Sequence, residues 1–179
     1  NEQLVAEGLN LQAELFDRQG NPMWDTHTTP TEQSPLQLQQ GQDYDLNVTV
    51  TNTRGAALKH LALSMLLPSG AEIGTTDNDD LSYQEVRDDR VLSYFDLGVG
   101  ESKTIKIKLN AAFLGEFYFP PISGEAMYQP NTRARTAGMP VRIVKVLPVD
   151  TDQGIEPETE TSGEEEKEAD SAEQPGSEQ

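Results

Sequence analysis

Two acidic clusters in this 179-residue chain contain residue types that could do chemistry. The segment 77–80, Asp-Asn-Asp-Asp, offers hard oxygen ligands that suit Ca²⁺, but it lacks the spacing and the late bidentate Glu of an EF-hand. Asp88 and Asp89, between Arg87 and Arg90, could form a catalytic carboxylate pair. Short Asp side chains also accept backbone N–H groups in turns, and neighbouring arginines can pair with them. We interpret the first cluster as a solvated loop and the second as a structural turn.

Nucleophilic catalysis has little support in the sequence. The two histidines, His27 and His60, lie far apart in the chain and have no nucleophile at a partnered spacing. The chain contains no Gly-x-Ser-x-Gly or His-Glu-x-x-His motif and no phosphate-binding glycine loop. It contains no cysteine, which excludes disulfides, zinc thiolate sites and a cysteine nucleophile within this chain. We therefore expect no enzyme activity, no catalytic residue, no metal and no cofactor.

The pair Met127-Tyr128 is the remaining candidate site. It follows Pro120, Pro121 and Gly124, so we expect it at the tip of a loop beyond a strand. A methionine and a tyrosine presented on a loop can form a docking surface. The alternative is that both side chains pack back into the core of their own domain, and composition leaves these two readings open.

Residues 1–149 have the pattern of an all-β domain. Tyr44 to Thr51 alternates apolar and polar side chains with a period of two, which is typical of a half-buried strand. About eight such segments, separated by Gly or Pro turns, predict an antiparallel β-sandwich. We expect residues 23–38, which include two prolines, to be an irregular connection. The predicted strands are 10–16, 44–51, 58–67, 83–87, 91–97, 102–109, 116–119 and 139–146.

Charge separates the remaining residues from this domain. Residues 150–179 carry twelve acidic residues and one lysine, which is −11 of the net charge of −18. With almost no apolar residues, this segment predicts a disordered acidic tail. Nucleic-acid binding is not expected, because the only local basic group is Arg133, Arg135 and Arg142. Membrane insertion is not expected either, because no apolar run approaches the about 20 residues needed to span a bilayer.

An ordered set of short motifs between residues 8 and 146 resembles the last domain of bacterial alpha-2-macroglobulins. That domain is a macroglobulin-like β-sandwich with the immunoglobulin or fibronectin type of architecture. Each motif is weak alone, and the resemblance depends on their order along the chain. The motifs are Gly8-Leu9, Asp17-Arg-Gln-Gly20, Gly41-Gln-Asp43, Val48-Thr-Val50, Leu67-Pro-Ser-Gly-Ala-Glu-Ile73, Arg87-Asp-Asp-Arg-Val91, Phe95-Asp-Leu97, Pro120-Pro121, Glu125-Ala-Met-Tyr128 and the Pro130, Arg133 and Arg135 that follow.

The resemblance implies that the chain is the C-terminal domain of a protease-trapping inhibitor of broad specificity. In such proteins this domain packs on a thioester domain and shields it until a protease cleaves the bait region. The residues carried over to that role are Met127 and Tyr128. The implied partners are the thioester domain and other domains of the parent chain, with target proteases bound through the parent. The implied location is the periplasm, with the parent anchored to the inner membrane by an N-terminal lipid.

A second function remains open from the sequence. The chain could be a structural stalk or adhesin-type β-sandwich module of a bacterial surface protein. Stalk modules usually recur in tandem, and this chain shows no internal repeat. A Cys-Leu-Glu-Gln-like thioester motif encoded a few hundred residues upstream would favour the inhibitor.

Overall fold

The computed structural model describes residues 8–76 and 81–146. These residues form thirteen strands joined by turns. In chain order the strands are β1 (Leu9–Asp17), β2 (Pro22–Asp25), β3 (Leu36–Gln39), β4 (Asp43–Asn52), β5 (Leu58–Leu66), β6 (Ala71–Thr76), β7 (Tyr83–Val86), β8 (Arg90–Leu97), β9 (Ser102–Ala111), β10 (Gly115–Phe119), β11 (Ser123–Ala126), β12 (Gln129–Arg135) and β13 (Met139–Val144).

Alternation of side chains explains how the long strands build one core. In β4, Tyr44, Leu46, Val48 and Val50 are all buried, while the polar residues between them are only partly buried. Strand β9 repeats this pattern, with Lys106 and Lys108 on the exposed face. Lys103 lies on the same face as Ile105, with its ammonium 5.8 Å from the Phe95 ring centroid. Because successive side chains of a strand point to opposite faces, each of these strands offers one apolar face to the interior. The buried residues of all three sheets form a single hydrophobic cluster.

Two five-stranded sheets form the body of the domain. One has the strand order β2-β1-β4-β9-β6 and the other β12-β11-β5-β8-β7, and every pairing within them is antiparallel. A third sheet has the order β10-β13-β3. In it β13 pairs with β10 antiparallel and with β3 parallel, and Leu36 lies opposite Val141. The prediction of an all-β sandwich is therefore confirmed, with one parallel pair that alternation does not reveal.

Several elements differ from the sequence prediction. Residues 23–38 are not an irregular connection throughout, because β2 and β3 occupy their two ends. Strands β6, β11 and β12 were not predicted at all. The chain divides by its internal contacts into Asn1–Lys145 and Val146–Gln179, and all thirteen strands belong to the first unit. The predicted limit between residues 149 and 150, and the predicted disordered tail, lie outside the described residues and remain predictions.

The described part of the chain contains no helix of the length and hydropathy required to cross a lipid bilayer.

Candidate interaction site

Met127 and Tyr128 form the turn that joins β11 to β12. Ala126, the last residue of β11, is buried, and the two turn residues that follow it are exposed. Met127 is 46% exposed and Tyr128 is 74% exposed, the largest exposure of any large hydrophobic residue in the described part of the chain. Of the two readings that the sequence left open, the structure supports the projecting one: neither side chain returns to the core of its own domain.

A β-bulge in β5 lies beside this turn. The register between β5 and β8 pairs Leu58 with Leu97 and Leu61 with Phe95, so two residues of β5, Lys59 and His60, face a single residue of β8. Bulges of this kind bend a strand and redirect its side chains. His60 has φ of 58° and is the one non-glycine residue with positive φ among the described residues. A non-glycine residue in this left-handed region costs roughly 1–3 kcal/mol, which contacts with its neighbours must offset.

Three contacts fix His60 in that conformation. Its backbone N–H donates to the Asp96 carboxylate at 2.9 Å. Its carbonyl accepts the N–H of Met127 at 2.9 Å. Its imidazole meets the ring of Tyr128 edge to face, with centroids 5.0 Å apart and planes at 85°. Edge-to-face geometry is a favoured arrangement of aromatic pairs. The bulge therefore connects β8, β5 and the Met127-Tyr128 turn through one residue.

Arg54 supports the opposite flank of the turn. One of its guanidinium nitrogens donates to the Gln129 side-chain carbonyl at 2.8 Å and to the Thr132 hydroxyl at 2.9 Å. Gln129 begins β12, and Thr132 is a buried polar residue of that strand. The pairing of β11 with β12 is irregular just there, because Ala126 lies opposite Gln129 while Glu125 lies opposite Arg133. Residues 130–132 of β12 therefore lie between the paired positions, and Arg54 binds β12 at both ends of this irregularity, at Gln129 and Thr132.

The loop that carries Arg54 is itself fixed by Asn52. The Asn52 side-chain amide is fully buried and donates to the carbonyls of Ala56, Leu97 and Gly98 at 2.9, 3.3 and 3.0 Å. Its side-chain oxygen accepts the N–H of Arg54 at 2.8 Å. Buried amides with satisfied donors and acceptors give a loop one defined conformation. The support of the turn therefore reaches the interior of the domain.

This arrangement can cover an apolar surface. A methionine and a tyrosine project from a rigid support, and burying one large apolar side chain contributes about 1.5–3 kcal/mol. No cluster of three or more His, Asp or Glu side chains that could hold a metal ion occurs within residues 8–76 and 81–146. The geometry of the turn suits contact with another surface better than conversion of a substrate.

The other candidate residues have structural surroundings. Asp89 pairs with the Arg90 guanidinium at 3.1 Å, and this contact holds the pKa of the Asp89 carboxyl below its usual range. Arg87 pairs with Glu85, and its charge adds to the lowering of the Asp89 pKa. The turn is closed by the Arg87 N–H, which donates to the Arg90 carbonyl at 2.9 Å. The Asp89 carbonyl accepts the N–H of Leu67 at 2.9 Å, next to the Leu66–Arg90 pair of β5 and β8. The segment 77–80 lies outside the described residues.

The histidines have unequal roles. The backbone N–H of His27 donates to the Asp25 carboxylate at 2.7 Å in an exposed turn after β2. His60, which has no nucleophile at a partnered spacing in the sequence, contacts the candidate turn directly. An interruption of the alternation marks its position in the sequence: the buried residues of β5 are Leu58, Leu61, Leu63 and Met65. Such an interruption is the expected trace of a bulge.

Comparison with known proteins agrees with this architecture. The sequence model of a family described as the bacterial alpha-2-macroglobulin MG10 domain matches residues 8–131. The alpha-2-macroglobulin of Pasteurella multocida (strain Pm70) is 29% identical over 136 residues, which are 76% of this chain and 7% of that protein. The chain therefore spans a small part of the curated relative that it matches.

Solved structures share the fold. A crystal structure of a Salmonella alpha-2-macroglobulin mutant matches with a TM-score of 0.66 at 21% identity, over 82% of this chain and 10% of that one. A native Escherichia coli alpha-2-macroglobulin fragment, from domain MG7 to the C-terminus, matches with a TM-score of 0.59 at 17% identity, over 77% of this chain and 24% of that one. Because the family match covers more than half of the 179 residues and the fold agrees, this chain belongs to the bacterial alpha-2-macroglobulin MG10 domain family.

Proposed function

We propose that this chain is the C-terminal domain of a bacterial alpha-2-macroglobulin that traps proteases of broad specificity. In this proposal the domain packs on a thioester domain of the same protein and shields the thioester until the bait region is cleaved. Membership of a macroglobulin family, which is a family of protease inhibitors and not of enzymes, supports the general role. The proposed location is the periplasm, with the parent protein anchored to the inner membrane by an N-terminal lipid.

The observation that carries the proposal is the projection of Met127 and Tyr128 from a well-supported turn. Tyr128 exposes 74% of its surface to solvent in this domain. Large hydrophobic side chains that project from a supported turn are candidates for the centre of an interface. A neighbouring domain that covers the turn would bury both side chains together.

The chemistry of a thioester explains why such a cover is useful. Water or an amine attacks the thioester carbonyl carbon, the carbon–sulfur bond breaks, and the sulfur leaves as a thiolate that takes up a proton. An apolar cover that excludes water removes the nucleophile from the reactive carbonyl. Tyr128 and Met127 would supply this cover from outside the thioester domain, and separation of the two domains would remove it.

The experiment uses the full-length protein with Tyr128→Gly. We expect the variant to release a free thiol faster than the wild type in the absence of protease, as measured with a chromogenic thiol reagent. It should also react faster with methylamine, which attacks the thioester and leaves an amide and a free thiol. Tyr83→Gly is a matched control, because Tyr83 is also exposed but lies on β7.

Two outcomes would contradict the proposal. One is equal thiol release by the wild type and Tyr128→Gly over the same period. The other is a full-length protein from which methylamine releases no thiol, because there is then no thioester to shield. Faster release by Tyr83→Gly as well would assign the effect to general destabilisation.

A further inference from the structure

We propose that His60 is a positioning residue for the Met127-Tyr128 turn, and that its ring sets the direction in which Tyr128 projects. This inference rests on the proposed function, because it concerns the same turn. It adds an exposed residue from another strand, β5. The inference stands on backbone strain, two hydrogen bonds and one ring contact, all at His60.

The backbone conformation of His60 is the first argument. Its left-handed φ of 58° disfavours any residue with a β-carbon, and glycine adopts it at no steric cost. Stability alone would therefore favour glycine at this position. Strained residues that persist in a fold are found where the geometry serves a site. What histidine provides and glycine lacks is the ring.

The contacts of that ring are the second argument. The imidazole and the Tyr128 ring lie in an edge-to-face arrangement, with centroids 5.0 Å apart and an interplanar angle of 85°. The hydrogen bond from Met127 N–H to the His60 carbonyl fixes the turn backbone relative to the bulge. The bond from His60 N–H to Asp96 fixes the bulge relative to β8. These two hydrogen bonds hold the backbone of the turn and of the bulge in place. The remaining contact, between the two rings, then sets the orientation of the exposed Tyr128 side chain.

Arg54 acts with His60 from the other side. It binds Gln129 and Thr132, which follow the turn, whereas His60 binds Met127 and contacts Tyr128 within it. Two independent supports restrict the turn more than either does alone. We therefore expect loss of the His60 ring to free the Tyr128 side chain without unfolding the hairpin.

The first test uses the 179-residue chain with His60→Gly. We expect the melting temperature to stay equal to the wild type or to rise, because glycine relieves the left-handed strain. At the same time the Tyr128 ring protons should move toward random-coil chemical shifts in NMR spectra. His60→Phe, which restores an aromatic edge, should return these resonances toward their wild-type positions. Unchanged Tyr128 resonances in His60→Gly would overturn the inference.

The second test uses the full-length protein. His60→Gly should raise the rate of thiol release by about two- to tenfold, the range expected when an aromatic pair contact is lost. His60→Phe should restore the wild-type rate. If His60 had a merely structural role, the rate of thiol release would rise only when the melting temperature fell. We expect instead that His60→Gly raises the rate of thiol release without lowering the melting temperature.

The two proposals can fail separately. If Tyr128→Gly leaves thiol release unchanged, the shielding function is wrong, and the NMR comparison still decides whether His60 positions Tyr128. If Tyr128→Gly accelerates release and His60→Gly does not, the shielding function stands and the role of His60 is wrong.

Discussion

The ring of Phe117 lies directly against the backbone of Gly70. A β-carbon built at Gly70 would be 2.3 Å from Cε2 of that ring, closer than real β-carbons approach. Phe117 packs against the edge of the core, and Gly70 is buried after β5. The carbonyl of Gly70 accepts the N–H groups of Ala112 and Phe113, so its backbone is also held in place. Glycine is therefore required here by packing and not by a positive φ.

Gly70→Ala should lower the free energy of unfolding by about 1–3 kcal/mol, the usual cost of forcing an extra group into a packed site. Urea denaturation monitored by Trp24 fluorescence measures this change. Gly55→Ala is the matched control, because nothing lies within 4 Å of a β-carbon there. Phe117→Leu should recover part of the loss in the Gly70→Ala background, and strict additivity of the two substitutions would contradict the proposed clash.

Asn52→Ala should destabilise the domain by about 2–4 kcal/mol. The substitution removes the amide that donates to the buried Leu97 carbonyl and to the part-buried carbonyls of Ala56 and Gly98. It also leaves the Arg54 N–H without its acceptor. Chemical denaturation is again the measurement. Asn10→Ala, an exposed position of β1, should change stability little, and a similar loss in both variants would refute a special role of Asn52.

Tyr44 should make stability fall at alkaline pH. Burial raises the pKa of its phenol above the ordinary value of 10.0, although the hydroxyl accepts the N–H of Gln39 at 2.8 Å. The folded state thus holds the Tyr44 proton more tightly than the unfolded state. The resulting stability is complete below about pH 10 and is lost as the pH rises through the folded-state pKa.

Tyr44→Phe should remove this part of the pH dependence and cost about 1 kcal/mol at neutral pH, because Gln39 loses its acceptor. Free energies of unfolding measured between pH 8 and pH 11 would show the difference in slope. Tyr83→Phe, at an exposed tyrosine, should keep the wild-type slope. Identical slopes for the wild type and Tyr44→Phe would contradict this account.

Local sequence chemistry predicted the long strands and some turns well. The period-two pattern of β4 matches its buried residues one for one. The turn after β1 follows from Asp17 and Gly20: Gly20 has φ of 87°, and the Asp17 carboxylate accepts the N–H groups of Gln19 and Asn21 at 2.9 Å. These hydrogen bonds, most of all those from Asn21, lower the pKa of Asp17. Information of this kind lies within a few neighbouring residues.

Elements that depend on distant partners were missed. Strand β12 buries only small or polar side chains such as Thr132 and Ala134, so it lacks the apolar alternation of a strand. Strand β3 follows Pro35 and has just two apolar residues. Its partner β13 is about a hundred residues later in the sequence. Short strands of this type are stable because of the sheet that they join and not because of their own sequence.

The candidate site was predicted in part. The sequence placed Met127 and Tyr128 at a loop tip. It left open whether their side chains project into solvent or pack into the core, because that depends on the strands next to the turn. The interrupted alternation of β5 marks the bulge at His60 in the sequence, but it does not show that the bulge contacts the Met127-Tyr128 turn, because that contact depends on how the strands pair. The role of Arg54 could not be predicted either, because Arg54 is distant in sequence from Gln129 and Thr132, the two residues that it binds.

The parallel pairing of β3 with β13 has a consequence for the order of folding. Leu36 lies opposite Val141, so the third sheet joins segments about a hundred residues apart. On a ribosome β3 emerges early and has no strand beside it until β13 has been synthesised. Leu36 and Leu38, buried in the finished domain, would remain open to chaperones during that interval. The third sheet can therefore form only after the last strand of the domain has been synthesised, so its formation is expected to be a late step in folding.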